Sequence, residues 1–133
     1  MRIAYVNIDE VNRDLAARMA AKFGAVVCEL LPQDPPPDGQ FDAVLYNLDD
    51  VPRNQRFALV EGLRRGNAGH PTAAHGYDIS DEQAETLRRG GVAVSPRLDA
   101  ELLRSLCEAA REIQKPVRPE DASTDLTWVD LAK

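Results

Sequence analysis

"FDAVLYNLDDVP", residues 41–52, decides how the chain is read. Ala43, Val44, Leu45 and Tyr46 make a short apolar run of strand length. The run breaks at Asn47 into Leu48, Asp49 and Asp50, and Pro52 is placed to open a helix. An all-apolar strand that hands over to a helix is the repeating unit of a parallel sheet, and in such sheets chemistry gathers where strands end. An amide at Asn47, followed by two carboxylates, is therefore the feature to explain.

The same alternation runs outward in both directions. Upstream, "RIAYVNI" (2–8) reads as a strand. Val11, Leu15, Ala16, Met19, Ala20 and Phe23 recur at helical spacing, and Gly24 stops that helix. "AVVCELL" (25–31) is a second strand. Downstream of Pro52, Phe57, Val60 and Leu63 are expected to face inward on a helix ending at Gly66. "HPTAAH" (70–75) is a weak fourth strand. Ser80 and Gln83 form a capping-box pattern for a helix carrying Ala84 and Leu87 and ending at Gly90–Gly91. "VAVS" (92–95) is a fifth strand. Asp99 can cap a last helix that buries Leu102, Leu103, Leu106, Cys107, Ala110 and Ile113, and Pro116 ends it. Strands alternating with helices at this length predict a flavodoxin-like, three-layer α/β fold with a five-stranded parallel sheet in the order 2-1-3-4-5. The globular part spans residues 1–115. Residues 116–133 read as a proline-bearing tail with a small apolar cluster of Leu126, Trp128, Val129 and Leu131.

Composition narrows the function classes. The chain has 133 residues, of which 44% are hydrophobic and 29% charged, which suits one domain with a core. Its net charge is −6, and a bare nucleic-acid binder needs a basic patch, so no nucleic-acid partner is expected. No apolar run reaches the roughly 20 residues of a membrane span, and the first residues lack the pattern of a signal peptide. Cys28 and Cys107 lie far apart within apolar patterns, as reduced thiols of a cytoplasmic protein would.

With the elements placed, the chain resembles the receiver domain of two-component response regulators over roughly residues 2–114. Four stretches carry the resemblance: "IAYVNIDEVNRDL", "FDAVLYNLDDVP", "HPTAAHG" and "GGVAVSPRLDAELLRSL". In the last of these, Pro96 and the "DAELL" run fall in register with the family pattern. The resemblance implies a pocket at the strand ends, yet the residues there lack its chemistry. Two metal-binding acids at the end of the first strand match Asn7 and Ile8. The phosphoacceptor aspartate matches Asn47. The hydroxyl residue after the fourth strand matches Gly76, or His75 one residue earlier. The lysine before the proline matches Ser95, and the aromatic switch on the fifth strand matches Val92. An amide cannot act as the carboxylate nucleophile of aspartyl phosphorylation, and Mg²⁺ wants hard anionic oxygens. A cation for the phosphoryl oxygens is missing as well.

The expectation is a pseudo-receiver, a non-enzymatic, cofactor-free module acting through protein contacts, with a homodimer among the options. No effector pattern follows it, so it reads as a stand-alone module. The resemblance points to Leu87, Arg88, Arg97, Leu103 and Arg104 as the partner or dimer face. Two alternatives remain: a Mg²⁺-dependent phosphoryl-handling enzyme using Asp9, Asp49 and Asp50, with Asp9 and Asp49 as ligands, or an unconventional receiver phosphorylated on Asp49. The plain counterpart of both is a solvated acidic rim. Likewise His75 reads as an edge histidine or a pocket liner. Two further departures are expected. "LPQDPPPDGQ" takes the place of the family's second helix, since ten residues of polyproline II can span about 30 Å. The tail or a partner would then cover the exposed sheet face. The Ser95–Pro96 bond, matching a bond that is cis in the family, is expected to be cis.

Overall fold

The computed structural model describes residues 1–31, 41–64 and 70–114. Five strands, β1 (Arg2–Val6), β2 (Val26–Leu30), β3 (Ala43–Asn47), β4 (Thr72–His75) and β5 (Ala93–Ser95), pair in parallel in the order β2-β1-β3-β4-β5. Among the described residues there are four helices: α1 (Glu10–Ala21) joins β1 to β2, α2 (Arg53–Arg64) joins β3 to β4, α3 (Asp81–Arg89) joins β4 to β5, and α4 (Ala100–Gln114) follows β5. A 3₁₀ turn, Leu48–Asp50, follows β3. This is the flavodoxin-like arrangement the sequence predicts. The proline-rich 32–40 segment and the 116–133 tail, with their expected roles, lie outside the described residues.

Strand alternation sorts side chains onto two faces. Ile3, Tyr5, Ala43, Leu45 and Ala73 pack against Ala16, Met19 and Ala20 of α1 and Leu102, Leu103, Leu106, Cys107 and Ala110 of α4. On the opposite face Leu48, Val51, Val60, Ala74, Leu87 and Val92 form a second cluster beneath α2 and α3. Ala4, Val6 and Val44 form a third, with Leu30, Phe41 and Tyr46 half-buried beside it. The helix ends are built as their sequences imply. Ser80 Oγ accepts from Gln83 N–H while Gln83 Oε1 accepts from Ser80 N–H. Asp99 Oδ1 accepts from Leu102 N–H at 2.8 Å. Gly24 takes a φ of 75° after α1, where a side chain would be strained.

Four residues expected inside are outside, each for a geometric reason. Val11 and Leu15 are 73% and 36% exposed. At 3.6 residues per turn they lie roughly 140° and 100° round the helix from Ala16, so the inward stripe is Ala16–Met19–Ala20. Phe57 is 73% exposed because Arg56 takes the inward position and, with Val60 one turn on, forms the buried row of α2. Ile113 stays in line with the α4 core stripe but overhangs the sheet: α4 is about 22 Å long at 1.5 Å per residue, and β5 only about 10 Å.

Leu87 and Leu103, expected on a partner face, are both fully buried, one under α3 and the other under α4. Of that face only Arg88, Arg97 and Arg104 reach solvent. Leu103→Ala should accordingly cost about 2–5 kcal/mol in urea unfolding. Phe57→Ser should stay within about 0.5 kcal/mol of the parent.

Candidate functional site at the strand ends

Asn7 follows β1 and Asn47 ends β3, and parallel pairing of these strands brings their side chains together. Both are buried, at 0% and 2% exposure. Asn47 Nδ2 donates to Asn7 Oδ1 at 2.9 Å and to Asp50 Oδ2 at 3.1 Å, while its Oδ1 accepts from Asp49 N–H at 3.1 Å. Asn7 Nδ2 donates to the Asp9 carbonyl at 2.6 Å and to Glu29 Oε2 at 3.4 Å. Every donor of both amides is thus used, and each points at an oxygen. A carboxylate cannot donate. At either position it would set oxygen against oxygen at hydrogen-bond distance inside the fold. Amides suit these positions because their N–H groups meet the surrounding oxygens, and Arg13 faces Glu29 at 3.6 Å at the rim of the network.

Each aspartate around the pair accepts from a backbone N–H. Asp9 caps α1, accepting from Val11 and Asn12 N–H at 2.8 and 3.3 Å. Asp50 Oδ2 accepts from Ile8 N–H at 2.7 Å, and the Ile8 side chain is turned to solvent. Both oxygens of Asp49 face Tyr77 N–H, at 3.1 and 3.0 Å. Among the described residues no three His, Cys, Asp or Glu side chains gather as a metal site would need.

The remaining expected positions surround this pair. Asn47, His75 and Ser95 are register partners across β3, β4 and β5. Gly76 donates its N–H to the Ser95 carbonyl at 3.2 Å. A Cβ at Gly76 would meet Asp49 Oδ1 and Ile79 Cγ1 at 3.1 Å, so a hydroxyl residue does not fit there without movement. Ser95 Oγ lies 3.4 Å from Asp99 Oδ2 and accepts from Arg97 N–H at 3.4 Å. It therefore closes the β5–α4 turn and puts no cation in the pocket. The Ser95–Pro96 bond is trans, where a cis bond was expected. The serine-closed turn accommodates proline in its ordinary form.

His75 is no edge residue: β4 lies inside the sheet and His75 is 4% exposed. Its Nε2 lies 2.6 Å from the Tyr5 hydroxyl, with the rings tilted at 47° and their centroids 5.7 Å apart. Burial lowers the imidazole pKa from 6.5 to about 4, outweighing the upward pull of Asp49, Asp50 and Asp99. Burial first, and then Asp50, Asp9, Glu29 and Asp49, push the Tyr5 phenol up. Both groups are neutral at pH 7, so the phenol donates to the imidazole. Sequence reading missed this pair and missed Arg56. Tyr5 alternates with Ile3 toward the core, and a buried tyrosine hydroxyl needs a partner, which was the available signal.

Arg56 is 5% exposed, donates from Nη2 to the Leu48 carbonyl at 2.6 Å and pairs through Nη1 with Asp78 at 2.9 Å. Arg53 reaches the other Asp78 oxygen at 3.0 Å. The Asp49 hydrogen bond, together with Arg56 and Arg53, holds the Asp78 carboxyl below its usual range. Arg104 is bracketed by Glu101 and Glu108 on α4.

Two outcomes follow from this geometry. Asn47→Asp should destabilise the fold by about 2–4 kcal/mol at neutral pH, since an ionised carboxylate would face Asn7 Oδ1 and Asp50. The new carboxyl has a raised pKa in the fold, so the penalty should shrink as pH falls through it. Denaturant titrations at several pH values read both effects. For His75 the folded pKa is the lower one. The unfolded chain therefore takes up a proton first, and stability should fall as pH drops from 6.5 towards 4, by roughly 3 kcal/mol. The loss should level off below that window. His75→Gln should remove this slope.

No protein-family model matches the chain, and no curated protein matches it. Solved structures match it in architecture. A response regulator receiver domain protein (CheY-like) from Methanospirillum hungatei JF-1 has a TM-score of 0.59 at 17% identity, covering 86% of this chain and 96% of that one. A sensor protein from Polaromonas sp. JS666 has a TM-score of 0.60 at 17% identity, with coverages of 84% and 97%. A protein assigned to pilus assembly (CpaE) from Burkholderia thailandensis E264 has a TM-score of 0.59 at 20% identity, with coverages of 84% and 98%. Identities of this size speak for architecture alone, and with its 2-1-3-4-5 sheet the chain has the CheY-like receiver-domain fold.

Proposed function

We propose that the chain is a signalling module of receiver fold that takes no phosphoryl group and acts through protein contacts. One observation carries the reading: the buried Asn7–Asn47 hydrogen bond at 2.9 Å occupies the strand ends where aspartyl phosphorylation needs carboxylates and a metal. Asp9, Asp49 and Asp50, the residues of the phosphoryl-handling alternatives, each set at least one carboxylate oxygen on a backbone N–H group. On this reading the module is residues 1–115, with 116–133 as a tail. Its partners are proteins, with a homodimer among them, and nucleic acid is disfavoured by the net charge of −6. Free Cys28 and Cys107 suit a reducing cytoplasm. No helix among the described residues is long and apolar enough to cross a membrane. Of the expected partner face, Arg88 and Arg97 are exposed to meet a partner, while Arg104 is paired with Glu101 and Glu108. The pilus-assembly neighbour supplies a second context, in which the module serves an assembly machine.

Incubation with acetyl phosphate and Mg²⁺ should leave the intact mass unchanged, and Mg²⁺ with beryllofluoride should not move the melting temperature. A phosphate adduct, mapped to Asp49 or Asp50, would replace this reading with an unconventional receiver.

A further inference from the structure

The loop between β4 and α3 runs through Gly76, Tyr77 and Asp78, and each is held from the segment that follows β3. Tyr77 N–H faces both carboxylate oxygens of Asp49, at 3.1 and 3.0 Å. Gly76 lies so close to the same carboxylate that a Cβ would meet Asp49 Oδ1 at 3.1 Å. Asp78 is gripped by Arg56 at 2.9 Å and Arg53 at 3.0 Å, both from α2. Arg56 also donates to the carbonyl of Leu48, the residue before Asp49, which ties the two grips together. Between the loop, α3 and β5 lies a groove of about 200 Å³, lined by Gly76, Tyr77, Ile79, Ala84, Val94 and Pro96.

We propose that Asp49 is a latch: its carboxylate, closed on the Tyr77 N–H across Gly76, fixes the β4–α3 loop and presets the shape of the groove between α3 and β5. A plain solvated rim residue would make neither contact. The carboxyl meets the Tyr77 amide with both oxygens and also lies against Asp78, the next residue of the loop. It is also accessible, since Asp49 itself is exposed. A partner or modification that drew this carboxylate away would release the loop and reshape the groove without disturbing the sheet. Glycine at 76 belongs to the same device, because a Cβ there would press on the carboxylate at 3.1 Å and push it away from the neighbouring N–H.

The test is residue-resolved amide hydrogen exchange on the full chain. Asp49→Ala should speed exchange at Tyr77 at least tenfold and shift the Ala84 and Val94 amide resonances that line the groove, with the Leu45 and Ala73 amides unchanged. Asp49→Asn, which keeps an acceptor of the same shape, should fall between Asp49→Ala and the parent. Gly76→Ala should also speed exchange at Tyr77 by pushing the carboxylate off. Because both changes open one latch, the double variant should exchange no faster than Asp49→Ala. Unchanged Tyr77 exchange in Asp49→Ala would overturn the proposal. So would equal acceleration at Leu45 and Ala73, or effects that add in the double variant.

Discussion

The hydrogen bond from Asn47 to Asn7 joins the ends of the two central strands, and the acidic edge of the protein is arranged around it. Through Asp50 the pair reaches the Ile8 backbone, through Glu29 it reaches β2, and through Asp49 it reaches the turn after β3. Four carboxylates crowd this edge, yet each lies against a donor supplied by the chain. Neutral amides at the centre make that possible. A buried polar network is stabilising only when its members are satisfied, and here the two amides satisfy one another.

Beside it lies a second neutral pair, Tyr5 and His75. Burial outweighs the surrounding negative charge and keeps the imidazole unprotonated, so His75 adds no positive charge at the strand ends. Buried Arg56 is committed to Asp78 and the Leu48 carbonyl. On the proposed reading, an amide stands at the nucleophile position, Asp9, Asp49 and Asp50 each set an oxygen on a backbone N–H, and Arg56 is held by Asp78.

The sheet order and the helix alternation were legible because they rest on local signals: short apolar strands, a Ser80–Gln83 capping box, an Asp99 cap and a Gly24 stop. The amide positions at Asn7 and Asn47 were legible for the same reason, since each ends a strand. What remained hidden depends on competition between neighbours. A hydrophobic pattern cannot tell that Arg56 displaces Phe57 from the inward row, because the Leu48 carbonyl and Asp78 that hold it are distant in sequence. Periodicity likewise placed Val11 and Leu15 on a stripe wider than the one α1 buries. Leu87 and Leu103 were carried over by position onto a partner face, and the packing of α3 and α4 puts both in the core. The Tyr5–His75 contact spans seventy positions of sequence and has no local signature.

The most direct measurement is the side-chain amide NMR of Asn7 and Asn47 during titration with Mg²⁺ and beryllofluoride. The account predicts that both Nδ2 groups are protected from exchange and that their resonances stay fixed throughout, because no cation or phosphoryl analogue enters between them. Rapidly exchanging amides, or resonances that move with added metal, would mean that the pair opens to a ligand and that the strand ends remain a working phosphoryl site.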